Sequence, residues 1–443
     1  MNFLANPGIS ERSKVEFVEV GALEPYANNP RTHSKKQIMQ IRASFLQFGW
    51  TNPILIDENN RVIAGHGRLA AAKELGLTVV PVLRIEHMSD AEKRAYIIAD
   101  NKLAENADWD TDLLKIELQG LADLDVDFDL ELTGFETGEI DIILSGDTDP
   151  DAGDPVPLPD LKREPVSREG DLWFIGPHRI ICGNALDPET WPLLMGRDRA
   201  QMVFTDPPYN VPIYGHVSGL GRVRHREFEM ASGEMSLAEF TKFLSTTFRN
   251  LADYSENGSI HYICMDWRHM REVLDAADGV YRELKNLCVW AKTNAGMGTF
   301  YRSQHELVFA FRNGTAAHIN NFRLGETGRH RSNLWTYAGA NTFREGRMED
   351  LAAHPTVKPI EMVADAIMDC SRRGGVIADA FAGSGTTLLA AARTGRVGVG
   401  IELDPQYVDL IVRRLQAETG ETALHGDSFD DFKTIAQTRG AAA

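Results

Sequence analysis

Two short segments of this 443-residue chain carry residue types that can do chemistry: Asp206-Pro207-Pro208-Tyr209-Asn210, and Asp379-Ala380-Phe381-Ala382-Gly383-Ser384-Gly385-Thr386-Thr387. The first suits an amino group attached to an aromatic ring. The lone pair of such a nitrogen is delocalised, so it attacks an electrophile only as it becomes more tetrahedral. Acceptors aimed at its hydrogens favour that change. The Asp206 carboxylate can take one hydrogen and the backbone carbonyl of Pro207 the other. Pro207 and Pro208 fix φ and remove competing N–H groups, so the carbonyl direction is held. This is preorganised electrostatics more than base catalysis. Tyr209 offers a face on which a planar base can stack. Alone, Asp-Pro-Pro also reads as an ordinary turn; the second segment gives it a partner.

That second segment suits a nucleoside. Gly383 and Gly385 let the backbone turn tightly and approach a ligand. Glu402 follows at the spacing at which a carboxylate reaches ribose hydroxyls. The alternatives are a dinucleotide site and a ligand-free turn. The three-glycine dinucleotide pattern fails, because Leu388 stands where the third glycine belongs. Phe381-x-Gly383-x-Gly385 fits a methionine-bearing nucleoside better than a pyrophosphate.

The elements that must position these groups are strands. Met202-Val203-Phe204 precedes Asp206 and Val376-Ile377-Ala378 precedes Asp379. Both runs read as buried parallel strands. From Gly375 to Asp404 the spacing predicts one βαβ unit: a strand ending at Asp379, a helix from Thr386 to Thr394 stopped by Gly395, and a strand ending at Glu402. Ligands of open α/β sheets bind beyond the carboxyl ends of the strands, so both segments are expected at one rim.

The chain reads as three regions. Residues 1–103 mix short strands (Ile54 to Ile56, Val79 to Leu83) with helices (Gln37 to Phe48, Arg68 to Leu75). Residues 104–165 are acidic, with helical spacing at Asp110 to Leu121 and Glu136 to Leu144, then a Pro-rich stretch over 147–160 that reads as an extended linker. Residues 166–443 alternate strand-like and helix-like segments, as an α/β domain does. The net charge of −18 argues against nucleic acid at first sight. From Glu105 to Glu164, however, 19 acidic residues face only Lys115, Lys162 and Arg163, which leaves the rest of the chain nearly neutral. Cys182, Cys264, Cys288 and Cys370 are scattered and form no Cys-x-x-Cys pair, which argues for reduced thiols without a metal site. No apolar run reaches the ~20 residues of a membrane span, and the N-terminus lacks signal-peptide features, so a cytoplasmic protein is expected.

Together the two segments resemble DNA amino-methyltransferases of the permuted class, in which the catalytic motif precedes the cofactor motif. The resemblance implies a Rossmann-like fold with a mostly parallel sheet, S-adenosylmethionine as methyl donor, no metal, and a target base flipped out of double-stranded DNA. The Asp-Pro-Pro-Tyr form resembles adenine-N6 enzymes more than cytosine-N4 enzymes, which often begin with Ser. By the resemblance, the catalytic residues are Asp206, Pro207, Pro208 and Tyr209. Methyl-donor contacts fall to Asp379, Phe381, Gly383, Ser384, Gly385, Thr386 and Glu402, with Thr356 and Lys358 at the donor carboxylate and Asn184 at its adenine, where Gly426-Asp427 competes. Arg222, Arg224, Arg226, Arg329 and Arg331 fall between the motifs and are candidates for DNA contact. Trp290-Ala291-Lys292 and the stretch ending His305-Glu306 recur in such enzymes and read as pocket walls without an assigned role. Cytosine-N4 methylation stays open as the alternative.

A second resemblance covers residues 15–103. Ile63-Ala64-Gly65-His66-Gly67-Arg68, with Asn28-Asn29-Pro30-Arg31 and Phe48-Gly49-Trp50 around it, looks like the signature box of the ParB/sulfiredoxin-like superfamily, an α+β domain. It implies a nucleoside triphosphate on the helix start near Arg68, although His66 stands where Glu is common. A docking module without chemistry is the other reading of this region; for the whole chain, a ParB-like DNA-binding adaptor with an inactive methyltransferase half is a further alternative, and a homodimer is a candidate assembly.

Overall fold

A computed structural model describes residues 14–107, 109–124, 130–145, 164–210, 235–292, 301, 303–322, 329–337 and 358–441. The linker expected over 147–160 lies outside the described residues. The chain divides into two compact units, Met1–Glu136 and Thr137–Ala443, so the division falls inside the acidic segment.

The first unit is a four-stranded sheet of β1 (Val15–Glu19), β2 (Ile54–Ile56), β3 (Val62–Ala64) and β4 (Val79–Arg84), ordered β1-β4-β2-β3. Helices α1 (Lys35–Phe48), α2 (His66–Glu74), α3 (Asp90–Glu105) and α4 (Thr111–Asp123) accompany it. The starts of these helices are legible. Ser34 accepts from the Gln37 N–H, and Ser89 with Glu92 forms a capping box. Ile54, Ile56, Val62, Leu69, Val80 and Val82 make the core.

The second unit opens with α5 (Thr137–Ser145), which turns part of the acidic segment to a structural use. Its Asp141 accepts two hydrogen bonds of 2.8 Å from the fully buried Arg396 guanidinium. Breaking a buried pair of this kind costs about 3–5 kcal/mol. The chain continues through β5 (Leu172–Ile175), β6 (His178–Cys182), α6 (Thr190–Met195), β7 (Ala200–Thr205), α7 (Leu237–Asp253), β8 (Ser255–Met265) and α8 (Met270–Ala277). It then forms β9 (Glu283–Lys292), β10 (His305–Arg312), β11 (Leu334–Tyr337), α9 (Ile360–Cys370), β12 (Val376–Asp379) and α10 (Thr386–Arg393). The last elements are β13 (Val397–Glu402), α11 (Pro405–Thr419), β14 (Ala423–His425) and α12 (Phe432–Arg439).

These strands form one sheet, ordered β11-β9-β10-β8-β7-β12-β13-β6-β5-β14. The expected parallel arrangement holds at the centre, β8-β7-β12-β13-β6. Both wings contain antiparallel pairs. On one side the cause is local: only Gly176-Pro177 separates β5 from β6, and so short a connection permits nothing but a hairpin. Helix α7 covers one face through Phe240, Phe243, Leu244, Thr247, Phe248 and Leu251, a run with helical spacing behind the Ser236–Glu239 capping box. All four cysteines are buried and free.

Candidate active site

The sheet order brings the two segments together. β7 and β12 are parallel neighbours, with Met202 opposite Ile377 and Val203 opposite Ala378. Their carboxyl ends therefore open on the same rim. Asp379, 4% exposed, ties them to each other. It accepts from the Thr205 hydroxyl at 2.8 Å, the Thr387 hydroxyl at 2.6 Å and the Phe381 N–H at 3.0 Å. Burial pushes its carboxyl up to about 6, against the pull of these donors. Asp379 thus stitches the site together from inside.

The cofactor turn leaves β12 and enters α10. Gly383 and Gly385 adopt φ of +51° and +85°, and a Cβ on Gly385 would meet Ile411 Cγ1 at 2.9 Å. Only glycine suits that backbone and that space. Close helix–strand packing, the task of the third glycine in dinucleotide folds, is met here from the strand. A Cβ on Gly398 would lie 2.8 Å from the Leu388 Cα, and one on Gly400 2.9 Å from Leu388 Cδ1. Ser384 and Thr386 are buried in the turn, their hydroxyls 3.4 Å apart.

Glu402 ends β13 next to this turn and accepts from the Gly383 N–H at 2.8 Å and the Asp404 N–H at 2.9 Å. Burial lifts its carboxyl to about 7 even so. Each oxygen accepts one backbone N–H and keeps a lone pair for a hydroxyl, so the residue fits a ribose diol. Asn184 lies just beyond β6, but its side-chain oxygen accepts from the Leu186 N–H at 2.9 Å, which makes it a local turn-former. Gly426 follows β14, and its N–H donates to the Leu172 carbonyl at 2.7 Å.

At the tip of β7, Tyr209 donates to Asp206 Oδ1 at 2.7 Å and lies 3.2 Å from Glu306 Oε2. Tyr209 and Phe381 both pack against one apolar cluster that includes Phe240, Phe243, Ile263 and Phe309. Phe381 meets Phe243 with ring centres 5.7 Å apart. Asn210 closes the segment with φ of +52°, and its amide exchanges hydrogen bonds with the Met235 backbone.

Lys358, expected at the donor carboxylate, is buried beside Asp206. Its Nζ lies 2.5 Å from Asp206 Oδ2, 3.0 Å from Glu306 Oε2 and 3.3 Å from the Tyr209 hydroxyl. Lys292 reaches Glu306 Oε1 at 2.5 Å. Burial, with repulsion from Glu306, raises the Asp206 carboxyl above its ordinary range against the pull of Lys358. Burial would raise Glu306 too, but Lys358 and Lys292 hold it near 2. The same two carboxylates keep Lys358 protonated despite its burial. Glu306 and Lys292 sit in segments recognised as pocket walls, yet nothing in the sequence gives them a role. The strand register does. β10 runs antiparallel to β8 and β9, with Glu306 opposite Trp290, so the start of β10 and the end of β9 meet at the rim of β7.

Arg329 and Arg331 are expected at DNA but are turned inward. Arg329, 9% exposed, lies 2.8 Å from Asp369 and 3.2 Å from Asp365. Arg331 lies 2.8 Å from Asp369, 3.1 Å from Asp365 and 3.0 Å from the Tyr337 hydroxyl. Two guanidinium groups balanced by two carboxylates of α9 have little charge left for phosphate. They anchor the segment leading to β11. Thr356, Arg222, Arg224 and Arg226 lie outside the described residues. In the first unit, the Arg68 guanidinium folds over Gly65 at the start of α2, and His66 Nε2 accepts from the Tyr26 N–H at 3.3 Å. No described helix is long and apolar enough to cross a membrane, and the described residues contain no cluster suited to a metal ion.

The DNA methylase family matches residues 200–413, the ParB-methyltransferase HTH domain residues 112–169, and the ParB N-terminal domain residues 6–102. The ParB-like nuclease domain-containing protein YnaK of Escherichia coli (strain K12) is 46% identical over 86 residues, 19% of this chain and 99% of its own length. The type II methyltransferase M2.DpnII of Streptococcus pneumoniae is 27% identical over 232 residues, 51% of this chain and 85% of its own. Among solved structures, an M1.HpyAVI–SAM complex overlaps 53% of this chain and 98% of its own at 18% identity and a TM-score of 0.40. The chain belongs to the ParB-like family through its N-terminal region, and its C-terminal part carries a DNA methylase domain of the N6/N4 type over residues 200–413.

Proposed function

We propose that this chain methylates the exocyclic N6 amine of adenine in double-stranded DNA, acting on a base turned out of the helix. One observation carries the reading: an Asp206 carboxylate tied to Tyr209 and Lys358, on the strand next to a glycine turn closed by Glu402. In this reading Gly383 and Gly385 admit the methyl donor, Phe381 packs beside it, and Glu402 takes its ribose hydroxyls. The bound donor supplies a methyl group on a sulfonium. Asp206 and the Pro207 carbonyl accept the two amine hydrogens, and Tyr209 stacks on the ring. Methyl transfer to the nitrogen would free one amine proton, which Asp206 would accept and pass to water. Lys358 opposes the effect of burial on Asp206 and favours its ionised form.

The acidic first residue of the Asp-Pro-Pro-Tyr segment favours adenine over cytosine. Nucleoside mass spectrometry of DNA incubated with the protein and S-adenosylmethionine tests it. N6-methyladenine is expected; N4-methylcytosine in its place overturns the choice of base.

A further inference from the structure

The amine site holds more charge than one acceptor needs. Glu306, 8% exposed, touches three of its members: Lys292 at 2.5 Å, Lys358 at 3.0 Å and the Tyr209 hydroxyl at 3.2 Å. A buried carboxylate persists only where its charge is balanced, and two lysines from different parts of the chain converge on this one. Lys358 has three N–H groups, and the acceptors within its reach include Asp206 Oδ2, Glu306 Oε2 and the Tyr209 oxygen. Tyr209 in turn donates to the other oxygen of Asp206. Asp206, Tyr209 and Lys358 therefore form a closed ring, and Glu306 grips two of its three members.

We infer that Glu306, with Lys292 as its counter-ion, is a positioning residue for methyl transfer: it divides Lys358 between two carboxylates and steadies Tyr209, so that Asp206, although each of its oxygens accepts one bond, keeps a lone pair for the target amine. An ammonium left to Asp206 alone would settle onto the carboxylate that the amine must reach. A second carboxylate on its other side holds it back. Glu306 need not meet the base to do this. Lys292 limits the opposite excess, since an unbalanced Glu306 would draw Lys358 off Asp206 altogether. Lys292 also lies 4.6 Å from the centre of the buried Trp290 ring, which fixes its direction. The inference rests on the amine-methylation reading and holds for either base.

Its sign is testable. Glu306 repels Asp206 and raises its carboxyl, so Glu306→Gln lowers the pH at which Asp206 ionises. Lys292→Met unmasks Glu306 and raises that pH. A role in packing alone would not move one group in opposite directions. Methyl transfer is measured with a tritiated donor, which counts either base, across pH 5.5–9. For Glu306→Gln the expected result is at least a tenfold loss of kcat, calorimetric donor affinity within twofold of wild type, and an acid limb displaced to lower pH. For Lys292→Met the acid limb moves to higher pH. Carboxyl 13C titration of the donor-free proteins should show Asp206 shifting in the same two directions. Stationary limbs, or donor affinity falling in step with kcat, overturn the inference. If Glu306→Gln does not fold, Lys292→Met decides by the direction of its limb. Wild-type transfer to cytosine sinks the adenine reading and leaves this one standing; no transfer to any DNA sinks both.

Discussion

The donor turn and the amine site share a rim but are held in different ways. The turn comes from one continuous stretch, Gly375 to Asp404, and its carboxylates are held largely by backbone N–H groups and threonine hydroxyls. The amine site is assembled from β7, β9, β10 and the residue preceding α9, and is held by charge against charge. Neutral donors leave Asp379 and Glu402 lifted by burial, to about 6 and about 7. Lysines hold Glu306 near 2. One half therefore rests on neutral donors around carboxyls lifted towards neutrality, while the other sets carboxylates against lysines. The halves should fail separately, and each should fail in its own manner.

The sharpest break is Asp206→Ala. Losing the acceptor aimed at the amine is expected to lower kcat on the order of 10³-fold, the scale for preorganised groups facing developing charge. Donor affinity by calorimetry should stay within about threefold, because Asp206 lies outside the turn. The variant also leaves Lys358 without one of its two carboxylates, so its fold is checked first by circular dichroism. Comparable turnover in a folded variant would remove Asp206 from its assigned role.

Glu402 should show the reverse. Glu402→Ala is expected to weaken donor binding roughly 10- to 100-fold, the worth of one or two hydrogen bonds to a charged group, with a smaller change in kcat at saturating donor. Its pH dependence follows from its raised carboxyl. The protonated form favours the folded, donor-free protein, a contribution complete below the ordinary carboxyl range and lost as pH rises through about 7. In the proposed reading the ribose hydroxyls need the ionised form. Donor binding should therefore release a proton near pH 6–7, and affinity should fall by up to about tenfold per unit below that range. Calorimetry in buffers of differing ionisation enthalpy measures the proton, and in Glu402→Gln the release should vanish.

The same contrast explains what could be read from the chain. The βαβ unit was legible because its strand, glycines, helix and acidic tip follow one another within local periods. Leu388 excluded the dinucleotide pattern, though only the packed helix shows that Gly398 and Gly400 take over the missing glycine's task. The charged ring was not legible. Glu306 and Lys292 meet Asp206 only once β10 and β9 are laid antiparallel beside β8, and antiparallel register is not written locally. The contacts of Lys358 with Asp206 and Glu306 likewise join residues far apart in the chain, and no local pattern announces them. Arg329 and Arg331 are candidates for DNA contact only by their place between the two motifs. Asp365 and Asp369, one turn apart on α9, held the correcting signal, since paired like charges on a buried helix face require counter-ions.

The smallest expected effect tests whether the halves are independent. Thr205 belongs to the amine strand and donates to Asp379 of the donor strand at 2.8 Å. Thr205→Val keeps the shape and removes that bond. Because Asp379 is buried and ionises near 6, losing a partner should cost about 1–2 kcal/mol of stability at pH 8. The penalty should shrink as pH falls below 6, where a protonated Asp379 no longer needs every donor. Urea unfolding at pH 8 and pH 5.5 measures the difference. If the halves act separately, donor affinity and kcat both stay within about twofold, on the scale of one distant hydrogen bond. If both fall together, Asp379 transmits position between the strands, and the rim works as one unit rather than two.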